Sequence, residues 1–222
     1  MNTQSALAEG SETALDPVYR ASEVIFGLLM AMSFIGSISV ATDGREEVRT
    51  LLIAALGCNL AWGLVDGVMH LVATKTQKRR NRVLIEKLHG SPDPAAGREL
   101  VADELPTPLA VSLGSEGLEQ IRQRLTAAPP AAVRDRLSGR DFGDAIVVFF
   151  LVVLSTFPLV VPFMLTDDTA RALLWSRLMA VVMLFLSGAT LARYSGGNAL
   201  LNGLTMAALG AAMMAAIMAL GG

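Results

Sequence analysis

Five apolar runs, at 24–41, 51–74, 145–165, 172–192 and 199–220, constrain this chain more than any other feature of its sequence. Each is close to the ~20 residues a helix needs to cross a hydrocarbon core of ~30 Å. A backbone in lipid has no water to bond, so such runs close their hydrogen bonds internally as helices. Overall the chain is 53% hydrophobic with 17% charged residues, and the charges collect between the runs. This is the pattern of a polytopic membrane protein rather than of a soluble domain. A net charge of -2 argues against a nucleic-acid partner. The single cysteine, Cys58, has no partner for a disulfide within one chain. Arginine exceeds lysine and alanine is abundant, which fits a GC-rich bacterial genome and hence a bacterial inner membrane.

The run at 24–41 ends in Ser39-Val40-Ala41, a pattern that also closes cleaved signal peptides. It is long for that role, and Glu9, Glu12 and Asp16 precede it against only Arg20, so it is read as a true first span. Pro158 and Pro162 predict a kinked or early-ending third span. Between spans two and three, 75–140 holds 12 of the 18 lysines and arginines. Lys75, Lys78, Arg79, Arg80, Arg82 and Lys87 follow directly on the second span, and basic residues at a span end mark the cytoplasmic side. The expected architecture is therefore an all-α integral membrane protein of five transmembrane helices with a small helical cytoplasmic insert. Its segments are a flexible tail over 1–20, spans one and two over 21–74, the insert over 75–140 and spans three to five over 141–222. The N-terminus and insert lie inside and the C-terminus outside.

Within the insert, 76–88 continues the second span as a charged helix, and Gly90-Ser91-Pro92-Asp93-Pro94 and Leu105-Pro106-Thr107-Pro108 break it. Residues 116–126 have helical spacing, with Leu118, Ile121 and Leu125 on one side. Pro129-Pro130 opens a short helix with Val133 and Leu137 inward. In the last span, Ala207, Ala211, Ala215 and Ala219 recur every fourth residue, a face that permits close helix approach.

Ionisable groups inside a span cost ~2.5–3.5 kcal/mol at its centre, so each one present requires a reason. Asp66 in the second span is the clearest, and His70 lies one helical turn later. With Asn59 and Gly63 they make a polar stripe that could bind a divalent cation or relay protons. The structural alternative is a network that fixes helix packing, with Asp66 paired to His70 or Arg193. Glu23 opens the first span, either as a headgroup-level acid favoured by the helix dipole or as an acid at the mouth of an ion path. Methionines in the spans read as adaptable packing. No Walker-type loop, Gly-x-Ser-x-Gly elbow or Cys-x-x-Cys occurs, and enzymatic chemistry is not expected.

The order of these features resembles the vacuolar iron transporter (VIT) family of divalent-metal transporters. The likeness rests on Ser22-Glu23-Val24-Ile25-Phe26-Gly27, the small-residue second span from Gly57 to Lys75, and Pro158 with Pro162. It continues through Gly188 to Arg193, then Gly196, Gly197, Asn198, Gly203 and Gly210. The resemblance implies a homodimer that moves Fe2+ or Mn2+ out of the cytoplasm as substrate, in exchange for protons, with no resident cofactor. Glu23 then falls at the mouth of the metal path, Met30 where the family has an aspartate, and Asn59 where it has a glutamate. The expected path is Glu23, Met30, Asn59, Asp66 and His70, with Glu23, Asp66 and His70 as metal ligands. Two carboxylates of the family path are thus neutral, and the insert lacks methionine and a dense Glu-x-x-Glu pattern. Those departures define the alternative, a transport-inactive scaffold or interaction protein on the same fold.

Overall fold

The structure is a computed structural model that describes residues 17–41, 45–91, 93–127, 129 and 135–220. The described residues hold seven helices: α1 Pro17–Ala41, α2 Arg45–Gly90, α3 Pro94–Asp103, α4 Thr107–Ala127, α5 Gly139–Leu165, α6 Thr169–Ser195 and α7 Ala199–Ala219. No strand occurs among the described residues. Five of the helices (α1, α2, α5, α6 and α7) are long and apolar enough to cross a membrane. The described residues form two compact units, one drawn from 17–70 and 139–220 and the other from 71–138. Helix α2 runs unbroken from the first into the second.

In the first unit, α1 packs against α5, α6 and α7, and its Leu28, Ala31, Met32 and Ile35 are the centre of the core. Leu159, Ala180, Leu184 and Met214 close around them. Helix α6 turns a buried face of Ala172, Ser176, Ala180, Leu184, Gly188 and Ala192 inward, one residue per turn. Mostly small side chains at that period let helices approach closely, which replaces the hydrophobic drive missing in lipid. A Cβ on Gly188 would lie 2.7 Å from the Asn202 carbonyl oxygen of α7. Gly63 and Gly67 do the same for α2, where a Cβ would stand 3.0 Å from the Phe149 and Ala145 carbonyls of α5. On α7 the buried positions are Gly203, Gly210 and Met214, while Ala211, Ala215 and Ala219 are exposed. The close-packing face of that helix is thus carried by glycines, not by the expected alanine stripe.

The α6–α7 hairpin is short because Gly196, at φ 76°, closes α6 in the left-handed region and the Gly197 N–H donates back to the Ala192 carbonyl at 2.8 Å. Asn198 then caps α7 by accepting from the Leu201 N–H at 3.1 Å. Helix α5 continues through Pro158 and Pro162 to Leu165 instead of ending early. The Ser176 hydroxyl donates to the Leu159 carbonyl between them at 2.6 Å, tying α6 to the proline segment of α5. Helix α1 begins at Pro17, so the last residues of the expected tail are helical; residues 1–16 lie outside the described residues.

In the second unit, α2 continues to Gly90, and α3 starts at Pro94 behind the Asp93 cap, whose carboxylate accepts from the Ala95 N–H at 2.9 Å. Both expected breaks are present. Helix α3 itself, and the part of α4 before residue 114, had no periodicity long enough to announce them. Gly114, at φ 59°, bends α4 there. The short helix expected after Pro129-Pro130 lies mostly outside the described residues, and 135–138 are not helical. Helices α3 and α4 pack together. Glu119 joins them, accepting from Arg122 of its own helix at 2.6 and 2.9 Å and from Arg98 of α3 at 3.4 Å.

Gly188→Ala is expected to lower the thermal stability of the purified protein by about 1–3 kcal/mol through overpacking against α7. Gly57→Ala, which meets nothing within 4 Å, is expected to raise it by about 0.5–1 kcal/mol. Melting both variants in the same detergent checks the contrast. The Arg122 guanidinium, then Gln123, hold the Glu119 carboxyl at about 2, below its usual 4.5. Its contribution is therefore complete above about pH 4.5 and lost as pH falls toward 2. Amide exchange in α3 and α4, corrected for intrinsic rates, should quicken across that window in the native chain and stay flat in Glu119→Gln.

Candidate functional site

Large apolar side chains on α2 are exposed from Ile53 to Val72, including Leu60, Leu64 and Val68. That belt is ~29 Å long at ~1.5 Å per residue, the thickness of a hydrocarbon core. Asp66 lies ~9 Å inside the end from which the basic residues follow. Because α1 and α2 are antiparallel neighbours, the start of α1 meets this end of α2. Phe26 stands edge-on to Trp62 with ring centroids 6.2 Å apart.

Four side chains gather there. The Tyr19 hydroxyl donates to the Glu23 carboxylate one turn along α1. The Asp66 carboxylate is close enough to act electrostatically on both. The Tyr19 ring lies 5.8 Å, centroid to centroid, from the His70 ring, tilted by 57°. His70 is buried at 7% exposure. Asp66 sits on the flank of the buried face formed by Asn59, Gly63, Gly67 and His70, and is half-buried. Its Oδ2 is buried and has no hydrogen-bond partner. Among the described residues Asp66 forms no ion pair, with His70, Arg193 or any other group; Arg193 itself is exposed. The ion pair to His70 or Arg193 expected of a purely structural Asp66 is absent among the described residues.

Asn59 belongs to a different arrangement. At 1% exposure, its Nδ2 donates to the Gly27 carbonyl of α1 at 3.3 Å and to the Thr156 hydroxyl of α5. Gly27 is pressed so close to α5 that a Cβ would strike the Ser155 hydroxyl and lie 2.8 Å from the Val152 carbonyl. Asn59 thus ties three helices at their narrowest approach. Its Oδ1 is buried with no hydrogen-bond partner among the described residues. Met30 lies one turn past Gly27, half-buried, its own carbonyl accepting from the Ser33 hydroxyl at 2.6 Å. No hydrogen bond or ring contact joins the Met30 side chain to the other four expected path residues among the described residues.

So Tyr19 stands between Glu23 of its own helix and His70 of α2, with Asp66 within electrostatic range of Tyr19 and Glu23, while Asn59 and Met30 lie deeper in the bundle. Among the described residues no three His, Cys, Asp or Glu side chains converge closely enough to make a metal-ligand set by themselves. Tyr19 escaped notice because it precedes the apolar run; its place one turn before Glu23 was the available signal. Arg177 was also missed. It is a half-buried cation within α6 whose Nε is buried without a hydrogen-bond partner, and its position in an apolar run was visible.

Asn59→Ala should cost about 1–3 kcal/mol, because it strips a buried partner from Gly27 and Thr156. Asp66→Asn should leave stability within about 0.5 kcal/mol or raise it, since its orphaned oxygen loses nothing. Thermal melts of the two variants, side by side, separate a structural polar residue from one kept at a cost. Comparison with known protein families and with characterised proteins finds no match for this chain.

Proposed function

We propose that this protein is a membrane transporter of a divalent transition-metal ion, Fe2+ or Mn2+, and that Tyr19, Glu23, Asp66 and His70 are its ion-receiving site. The observation that carries the reading is the pair Glu23 and Asp66, two carboxylates brought together within apolar helices, one with a buried oxygen that no protein group satisfies. Such a pair is costly in lipid and is relieved when a cation or proton is shared between them. Carboxylate, phenol and imidazole together suit a borderline divalent ion, with water completing its shell. The phenol and the imidazole beside the carboxylates also offer proton carriers, which suits exchange of metal for protons. The basic residues after Val72 set the intervening segment and the N-terminus on the cytoplasmic side, with the site at the cytoplasmic end of the bundle and export as the direction. The resemblance to the VIT family supports the same cargo and a homodimer in a bacterial inner membrane.

One observation favours a second reading. Asn59 stands where the family path has a glutamate, and here its amide closes three helices together. A chain so pinned would be a transport-inactive scaffold that keeps the fold and serves partners through the intervening segment.

A flux assay separates the two. Proteoliposomes loaded with a metal-sensing dye and a pH-sensing dye should show Mn2+ or Fe2+ movement with opposite proton movement. Glu23→Gln and Asp66→Asn should each slow it by roughly tenfold or more, the effect of about 1.4 kcal/mol lost at one ligand. Absence of flux for every metal in a divalent panel, with the protein folded, sinks the transporter and leaves the scaffold.

A further inference from the structure

Just beyond its apolar belt, α2 forms one wall of an open groove of about 700 Å³ whose other wall is α3. The α2 wall is cationic: Lys75 and Arg79 lie one turn apart on one face of the helix, with Arg80 and Lys87 on its flank. The floor is apolar, made by Val83 and Leu84 of α2 with Leu100 of α3. Val72, the last exposed apolar residue of the belt, lines the near end. Asp103 and Glu104 stand at the α3 rim.

The charges are only partly answered by protein. Arg79 reaches Asp135, which Arg82 also meets at 3.4 Å, and Arg80 reaches Glu104, both at 3.9 Å from exposed arginines, a separation worth little. Lys75 and Lys87 form no ion pair among the described residues. A groove that is cationic on its walls, apolar on its floor and continuous with a lipid-length belt matches one kind of molecule in both parts. A phosphodiester headgroup meets Lys75, Arg79 and Arg80 while the glycerol and first methylenes lie on Val72. Basic clusters next to a span attract anionic lipid in this way.

We propose that this groove binds the headgroup of an anionic phospholipid from the surrounding bilayer. The site is separate from Glu23 and Asp66 and does not depend on what they bind.

The test uses the full chain in a neutral detergent, titrated with short-chain phosphatidylglycerol and, in parallel, short-chain phosphatidylcholine. Bound lipid is counted by native mass spectrometry and the melting temperature is followed. Phosphatidylglycerol should bind one-to-one and raise the melting temperature, with phosphatidylcholine much weaker. Lys75→Gln with Arg79→Gln should weaken phosphatidylglycerol about 25-fold, at about fivefold per basic residue. Lys75→Arg with Arg79→Lys should restore it, which separates loss of charge from loss of fold. Glu104→Gln, removing the carboxylate beside Arg80, should tighten binding. Equal binding of the two lipids, or binding unchanged in the Gln double variant, overturns the proposal. So does displacement of phosphatidylglycerol by millimolar inorganic phosphate, which would assign the groove to a soluble anion.

Discussion

Five helices are long and apolar enough to cross a membrane, where a polar group has no water to fall back on, and the polar groups of the described bundle answer that deficit in several ways. The backbone meets it by closing helices. Hydroxyls meet it by turning to carbonyls, as Ser155 does toward Val152 and Ser176 toward Leu159. Asn59 meets it across three helices at once. Three buried side-chain atoms among the described residues stay unanswered, on Asn59, Asp66 and Arg177. Of these only Asp66 brings a negative charge, and Glu23 nearby adds a second.

The same deficit explains where the glycines fall. With lipid as apolar as leucine, helices gain little by hiding apolar surface and much by close contact and aligned backbone dipoles. Gly27, Gly63, Gly67, Gly188 and Gly203 each face backbone or side-chain atoms at a separation that a methyl group would fill. They bring α2 onto α5, α1 onto α5, and α6 onto α7. Distances between the polar side chains of the site follow from these approaches, so the site inherits its geometry from residues that carry no chemistry.

Much of this was legible in advance. The five runs gave five helices because length and hydropathy decide the matter in lipid, and proline and glycine clusters marked the breaks around α3. Less was legible in the site. Helical spacing put Asn59, Asp66 and His70 on one stripe, but a stripe about 100° wide does not say which member turns to which neighbour. Asn59 faces α1 and α5 as a tie, while Asp66 turns toward the start of α1. The contribution of Tyr19 was hidden because the helix begins before the apolar run does: Pro17 and the turn after it are helical without being hydrophobic. The glycine face of α7 was masked by a more regular alanine repeat, since spacing ranks faces by smallness and not by which one meets a partner.

Helix α2 has 46 residues and no interruption in its helical backbone. Asp66 and the basic residues that follow Val72 are thus written in a single helical register, each residue turned by ~100° and raised by ~1.5 Å from the one before.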